Sequence, residues 1–220
     1  MTKPRRMHAH RASGVIAAAL LVAGCGAPVP ATTWLRLNAE PPAPAALVPG
    51  SAAAAASSTA AAVETWQLVG PVRVPAYLDR DTLFVPQGAG GAALRPLGSA
   101  RWVEPLRDAL PRVLHEDLVR ALRLRRPALS LWTSPLPPGV QPARQLRVEL
   151  TAFEIDAGGR AVLLRARWSL AAADGAAPPA VHEAAFETPV TAVEDAGAWA
   201  TAHRQAIAAL AGRVAATMAP

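Results

Sequence analysis

The sequence predicts an α+β fold: a mostly antiparallel, mixed sheet with two main helices packed on one face, a two-layer sandwich. Three observations carry this. Trp102 to Leu124 and Ala196 to Met218 repeat apolar residues every three or four positions. Shorter stretches alternate apolar and polar residues between turn-forming Asp and Gly pairs. The order along the chain is strands, helix, several strands, helix.

The chain opens on a segment that belongs to neither layer. Lys3, Arg5, Arg6 and Arg11 form a basic start, and Gly14 to Ala23 is an apolar run. Small residues and a cysteine follow, Val22-Ala23-Gly24-Cys25. This is the pattern of a secretory signal. The competing reading, a transmembrane anchor, fails on length: about 11 apolar residues make a helix of roughly 16 Å, against ~30 Å of bilayer hydrocarbon. Val22 to Cys25 resembles the bacterial lipobox, in which the cysteine is acylated and becomes the first residue. An ordinary secreted protein with an incidental cysteine is the alternative. Residue 26 is Gly and not Asp, so the usual inner-membrane retention signal is missing.

Charge and composition narrow the class. Residues 1–24 carry four cations and no acid, so removing them takes the net charge from +6 to +2. A nucleic-acid binder needs a strong basic face, which +2 does not supply. Cys25 is the only cysteine, so once lipidated it leaves no thiol for a disulfide, a zinc site or a nucleophile. The expected cofactor content is none beyond the covalent lipid.

The expected organisation is 1–24 signal peptide, 25–37 lipidated start and first strand, 38–62 flexible Ala/Pro segment, and 63–220 folded domain. Thr32 to Leu37 reads as a strand; nine steps from Cys25 to Trp34 reach at most roughly 30 Å. Segment 38–62 has no hydrophobic period. Trp66 to Pro75 reads as a strand interrupted at Gly70-Pro71, and Ala76 to Arg80 as a turn. Leu83 to Val85 is a short strand closed by Pro86, with Leu94 to Leu97 as its hairpin return. Trp102 to Leu124 is the first helix; Pro105 fits its first turn, whereas Pro111 predicts a kink or a later start. Ala128 to Trp132 is a short strand. Leu146 to Thr151 is half buried, with a bulge at Ala152-Phe153. Asp156 to Gly159 turns the chain into a strand from Val162 to Leu170, and Val181 to Val190 is the last strand. Ala196 to Met218 is the closing helix.

Catalytic and metal patterns do not emerge. His8 and His10 fall in the signal segment. His115, His182 and His203 sit on separate elements outside any HExxH pair, and read as surface or satisfied residues. Neither GxSxG nor SxxK occurs. Glu194-Asp195 stands where a helix start favours negative charge. The arginines at 120, 123, 125 and 126 read as a solvated helix cap, and the tryptophans as core or sheet packing. In Leu78-Asp79-Arg80, Asp would accept local backbone bonds and Arg would pair nearby; a docking surface is the other reading.

Two motifs give the chain a family resemblance. Gly70-Pro-Val-Arg-Val-Pro-Ala-Tyr-Leu-Asp-Arg80 and Arg101-Trp-Val-Glu-Pro-Leu106 resemble segments of the PqiC family of ABC-type transport auxiliary lipoproteins. The lipobox, the early strand and the Ala-rich final helix fit the same order. Segment 38–62 and Trp34, where an aromatic pair is common, depart from it. The resemblance implies a non-enzymatic subunit, lipid-anchored on the periplasmic side of the outer membrane. It would dock an MCE-domain partner of an intermembrane lipid transport system. Tyr77, Leu78, Asp79, Arg80, Trp102 and Glu104 are its candidate docking residues, and Cys25 its lipidation site. A lipoprotein that holds a lipid in its own pocket is the alternative, and an envelope hydrolase ranks behind both. A ring of copies around a tubular partner is left open, since nothing in the sequence counts subunits.

Overall fold

The computed structural model describes residues 31–38, 64–88 and 91–218. The signal segment, Cys25 and all but Asn38 of the 38–62 segment lie outside the described residues. In chain order the elements are β1 (Thr33–Leu35), β2 (Glu64–Leu68), β3 (Thr82–Gln87), β4 (Ala93–Trp102), α1 (Leu106–Arg125), β5 (Leu129–Thr133), β6 (Arg144–Ile155), β7 (Ala161–Ala172), β8 (Ala180–Pro189) and α2 (Ala196–Thr217).

The α+β sandwich is present, with the strands divided between two mixed sheets. A five-stranded sheet has the order β5-β2-β6-β7-β8, and a three-stranded sheet the order β1-β4-β3. In the larger one β2 runs parallel to both β5 and β6, and β6, β7 and β8 form an antiparallel meander. Alternation decides which side is covered. Leu146, Val148 and Leu150 on β6 and Val162, Leu164, Ala166, Trp168 and Leu170 on β7 are buried, whereas Arg147, Thr151, Arg165 and Arg167 face water. Between Leu150 and Ala152 the register with β7 shifts, so the bulge falls at Thr151, one residue before the expected Ala152-Phe153.

Several boundaries move for identifiable reasons. β3 runs through Pro86 instead of stopping there, because it is an edge strand where a missing N–H costs no ladder bond. β4 extends to Trp102, which pairs with Leu35, so the helix starts four residues later than its apolar period suggests. Pro105 explains the delay. A residue before proline is disfavoured in helical space, which keeps Glu104 out of the helix, and Pro105 itself becomes the N-cap. α1 continues through Pro111. β2 begins at Glu64 and ends at Leu68, and beyond Gly70-Pro71 only Arg73 bridges to Glu149. At α2 the expected cap is in place: the Asp195 carboxylate accepts from the Gly197 N–H at 2.9 Å.

Of the arginines at the end of α1, Arg120, Arg123 and Arg125 are exposed, whereas Arg126 is half buried and Arg125 and Arg126 both reach α2. Arg126 pairs with Glu64, donates to Met218 O at 2.7 Å and lies over the Trp66 ring, and Arg125 donates to Gly212 O at 3.2 Å. Trp66, Trp102, Trp168 and Trp199 are core residues as expected, but Trp34 and Trp132 are exposed.

Between the helices lies a buried ion pair. Arg204 of α2 grips Asp117 of α1 with two hydrogen bonds, of 2.7 and 2.6 Å, and Arg120 adds a third to the same carboxylate at 3.1 Å. Asp117 is 4% exposed and Arg204 9%. Removing one partner from such a pair strands a buried charge, at a cost of about 3–5 kcal/mol, whereas replacing both by apolar residues is often neutral. Asp117→Ala is expected to lower the unfolding free energy by about that amount. The double variant Asp117→Leu/Arg204→Met should recover most of it in urea titrations.

Candidate functional site

The two motifs, far apart in the chain, meet in the fold. The arm before the turn is fastened to β6: Arg73 N–H donates to Val148 O at 3.2 Å, and Leu150 N–H donates to Arg73 O at 2.8 Å. The turn itself closes with Leu78 N–H to Pro75 O at 2.9 Å and Asp79 N–H to Ala76 O at 3.3 Å. Its exit leads straight into β3.

Each candidate residue has a definite place. The Tyr77 hydroxyl donates to Glu154 Oε2 on β6 at 3.0 Å, and its ring is 41% exposed. Leu78 packs against the core. The Asp79 side chain does not cap its own turn. It accepts from Arg107 of α1 at 2.6 Å, while its other oxygen is buried and finds no partner among the described residues. Arg107 is 58% exposed, so this bond adds little stability and acts by position, tying the turn to the helix that follows the second motif. Arg80 is exposed and makes no described ion pair. Trp102 is buried beneath the turn, and Glu104 pairs with Arg112 across the start of α1 at 2.6 Å. Cys25 lies outside the described residues.

Tyr77, Leu78, Phe84, Leu94, Trp102, Leu106, Phe153 and Ile155 surround an apolar pocket with Glu154 at its rim and His203 at its floor. Its free volume is about 30 Å³, room for about one water and not for an acyl chain. Burial, the Glu154 hydrogen bond and its negative charge together push the Tyr77 hydroxyl up to about 12, so it stays a donor at any physiological pH.

His203 is the site residue that reading the sequence passed over. It falls four residues after Trp199 and four before Ile207, on the buried stripe of α2, so the helical period did signal it. Its Nδ1 lies 2.8 Å from Trp199 O, which makes that nitrogen the donor, and its ring stands edge-on to Trp102 and Phe153. Burial pulls its pKa down to about 4 against a weaker upward pull from the Trp199 carbonyl. It is therefore a neutral packing element near pH 7. The other two histidines have their own contacts: His115 Nε2 lies 3.0 Å from Leu131 O, and His182 stacks on Trp168.

Residues 47–215 match the family described as the ABC-type transport auxiliary lipoprotein component. The chain belongs to that family. Both motifs fall inside the matched region, as do both helices up to Ala215. Membership makes the chain one of a group of auxiliary transport lipoproteins, which is not a known enzyme class and which associates with the membranes of the cell envelope. Two solved structures share the fold. One is a protein from Xanthomonas campestris with a TM-score of 0.59 and 18% identity, covering 85% of this chain and 94% of that one. The other, an uncharacterized protein, has a TM-score of 0.58 and 18% identity, covering 71% of this chain and 99% of that one. No curated protein sequence matches the chain.

The buried histidine gives this chain a measurable pH response. An unfolded histidine takes up a proton near 6.5, and the folded one only near 4. Between those values the unfolded state binds more protons, so stability is complete above pH 6.5 and falls as the pH drops towards 4. Going from pH 7 to 5 should remove about 2 kcal/mol from this group alone. His203→Leu should flatten that part of the profile, as read from urea midpoints at each pH.

Proposed function

We propose that this chain is a lipid-anchored accessory subunit of an intermembrane transport system. Cys25 carries the lipid at the periplasmic side of the outer membrane, and the Tyr77–Arg80 turn docks an MCE-domain partner. The observation that supports this reading best is the joining of the two motifs. Asp79 and Arg107 fasten the turn to the start of α1, and Tyr77 and Leu78 close over Trp102. The outcome is a rigid projection with an exposed aromatic face at Tyr77 and an uncommitted cation at Arg80. A partner could grip that pairing with an apolar contact and a carboxylate. The role of the partner system, moving lipids between membranes, follows the family resemblance. The pocket beneath the turn has room for about one water and cannot take an acyl chain, so the alternative in which this domain itself stores a lipid would need one of the wider surface clefts, such as that lined by Val69, Arg73, Trp168 and Val181.

Affinity capture from detergent-solubilised envelopes tests the proposal. The lipidated chain should recover an MCE-domain protein. Tyr77→Ala combined with Arg80→Glu should lower that recovery about tenfold, and the melting temperature should fall no further than in Tyr77→Ala alone, because Arg80 is exposed and makes no ion pair with the described residues. Equal recovery by parent and double variant removes the turn as the docking element.

The anchor is checked separately by fractionation. Cys25→Ser should leave the membrane fraction and appear among the soluble envelope proteins. A variant that stays membrane-bound and functional would remove the anchor.

A further inference from the structure

The outer face of β1 and the end of β4 combines exposed apolar groups with cations. Trp34 is 61% exposed and Val103 50%. Trp34 is the register partner of Arg101, and Leu35 that of Trp102. Two-residue alternation therefore places Trp34 and Arg101 on one face of this sheet, and Leu35 and Trp102 on the other, in the core. Val103 N–H donates to Leu35 O at 2.8 Å, which brings Val103 alongside Arg36 as the next step of the same face.

The charges here are poorly neutralised. Arg36 is exposed and makes no ion pair with the described residues. Arg101 Nη1 donates to the backbone carbonyl of Ala100 at 2.8 Å. Asp81, which precedes Arg101's register partner Thr82, accepts from the Thr82 hydroxyl at 3.0 Å.

We infer that this face rests on a bilayer surface containing anionic phospholipid. Trp34 and Val103 enter the headgroup region, and Arg36 and Arg101 meet the phosphates. Two arguments select a membrane as the occupant. The first is tether length: Trp34 follows Cys25 by nine residues, so a lipid on Cys25 holds it within roughly 30 Å of a bilayer. The second is chemistry. Tryptophan favours the boundary between headgroups and acyl chains, and cations beside it are attracted by negative lipid. The inference extends the lipid-anchored reading, because the anchor is what brings a bilayer to this face. It assigns the domain one orientation on its membrane, where a lipid tether alone leaves the domain free to tumble.

The test removes the lipid so that the two readings can fail separately. The chain from residue 25 onward with Cys25→Ser keeps the whole compact unit Thr32–Pro220. It is titrated with vesicles of seven parts phosphatidylcholine to three parts phosphatidylglycerol and followed by co-sedimentation. Binding should be weak but measurable, and should fall about tenfold in Trp34→Ala. It should fall about fivefold in either Arg36→Gln or Arg101→Gln, and largely vanish on pure phosphatidylcholine. Circular dichroism should be the same for all variants. Equal binding by the parent and Trp34→Ala overturns the inference, as does absence of binding by the parent. A dimer seen by sedimentation velocity and lost in Trp34→Ala also overturns it, assigning the face to a second copy. The mass of the chain extracted from membranes decides the acylation of Cys25 independently.

Discussion

The two-layer arrangement depends on how the helices are held against one another, and the Asp117–Arg204 pair is what fixes them. Along the face of α2 that carries Arg204, seven and eleven residues on, the buried side chains are the alanines Ala211 and Ala215. Small smooth side chains permit close approach but tolerate sliding and rotation. A bidentate guanidinium–carboxylate contact does not, because both parallel bonds are lost together when either helix shifts by part of a turn. The pair therefore sets register more than it adds stability. With α1 fixed, Arg107 is fixed, and through it the turn that carries Tyr77 and Arg80.

A second tie acts at the far end of α1. Arg126 joins Glu64 of β2 to the last turn of α2, so the strand, the first helix and the second helix converge on one guanidinium. The cations that look like a helix cap in the sequence thus link layers.

Much of the fold was legible because each element reports its own buried side. The stripes on both helices, the alternation on β6 and β7, the β6 bulge and the Asp195 cap are local signals, and each lies within a few residues of where the sequence placed it. What alternation cannot report is which strand lies next door. The division into two sheets and the parallel seams β2–β5 and β2–β6 are long-range pairings, invisible to a local period. Asp117 and Arg204 were missed for a related reason. A charged residue within an apolar stripe looks like an error in the stripe until its counterpart on the other helix is known. At the candidate site, the residues came from the motifs. Their meeting around Trp102, with His203 beneath, came from the fold alone.

The parallel seams also govern when this protein can fold. β1 must wait for β4, with Thr33 opposite Ala100, and β2 must wait for β5, with Glu64 opposite Leu129. Neither early strand has a neighbour close in the chain: β1 stays unpaired until nearly half the polypeptide is available and β2 until more than half, and contacts this distant slow folding. A polypeptide crossing a membrane from its N-terminus would thus present these two strands unpaired and threadable in the early part of its passage. The topology that makes the finished domain rigid also keeps it from closing too early.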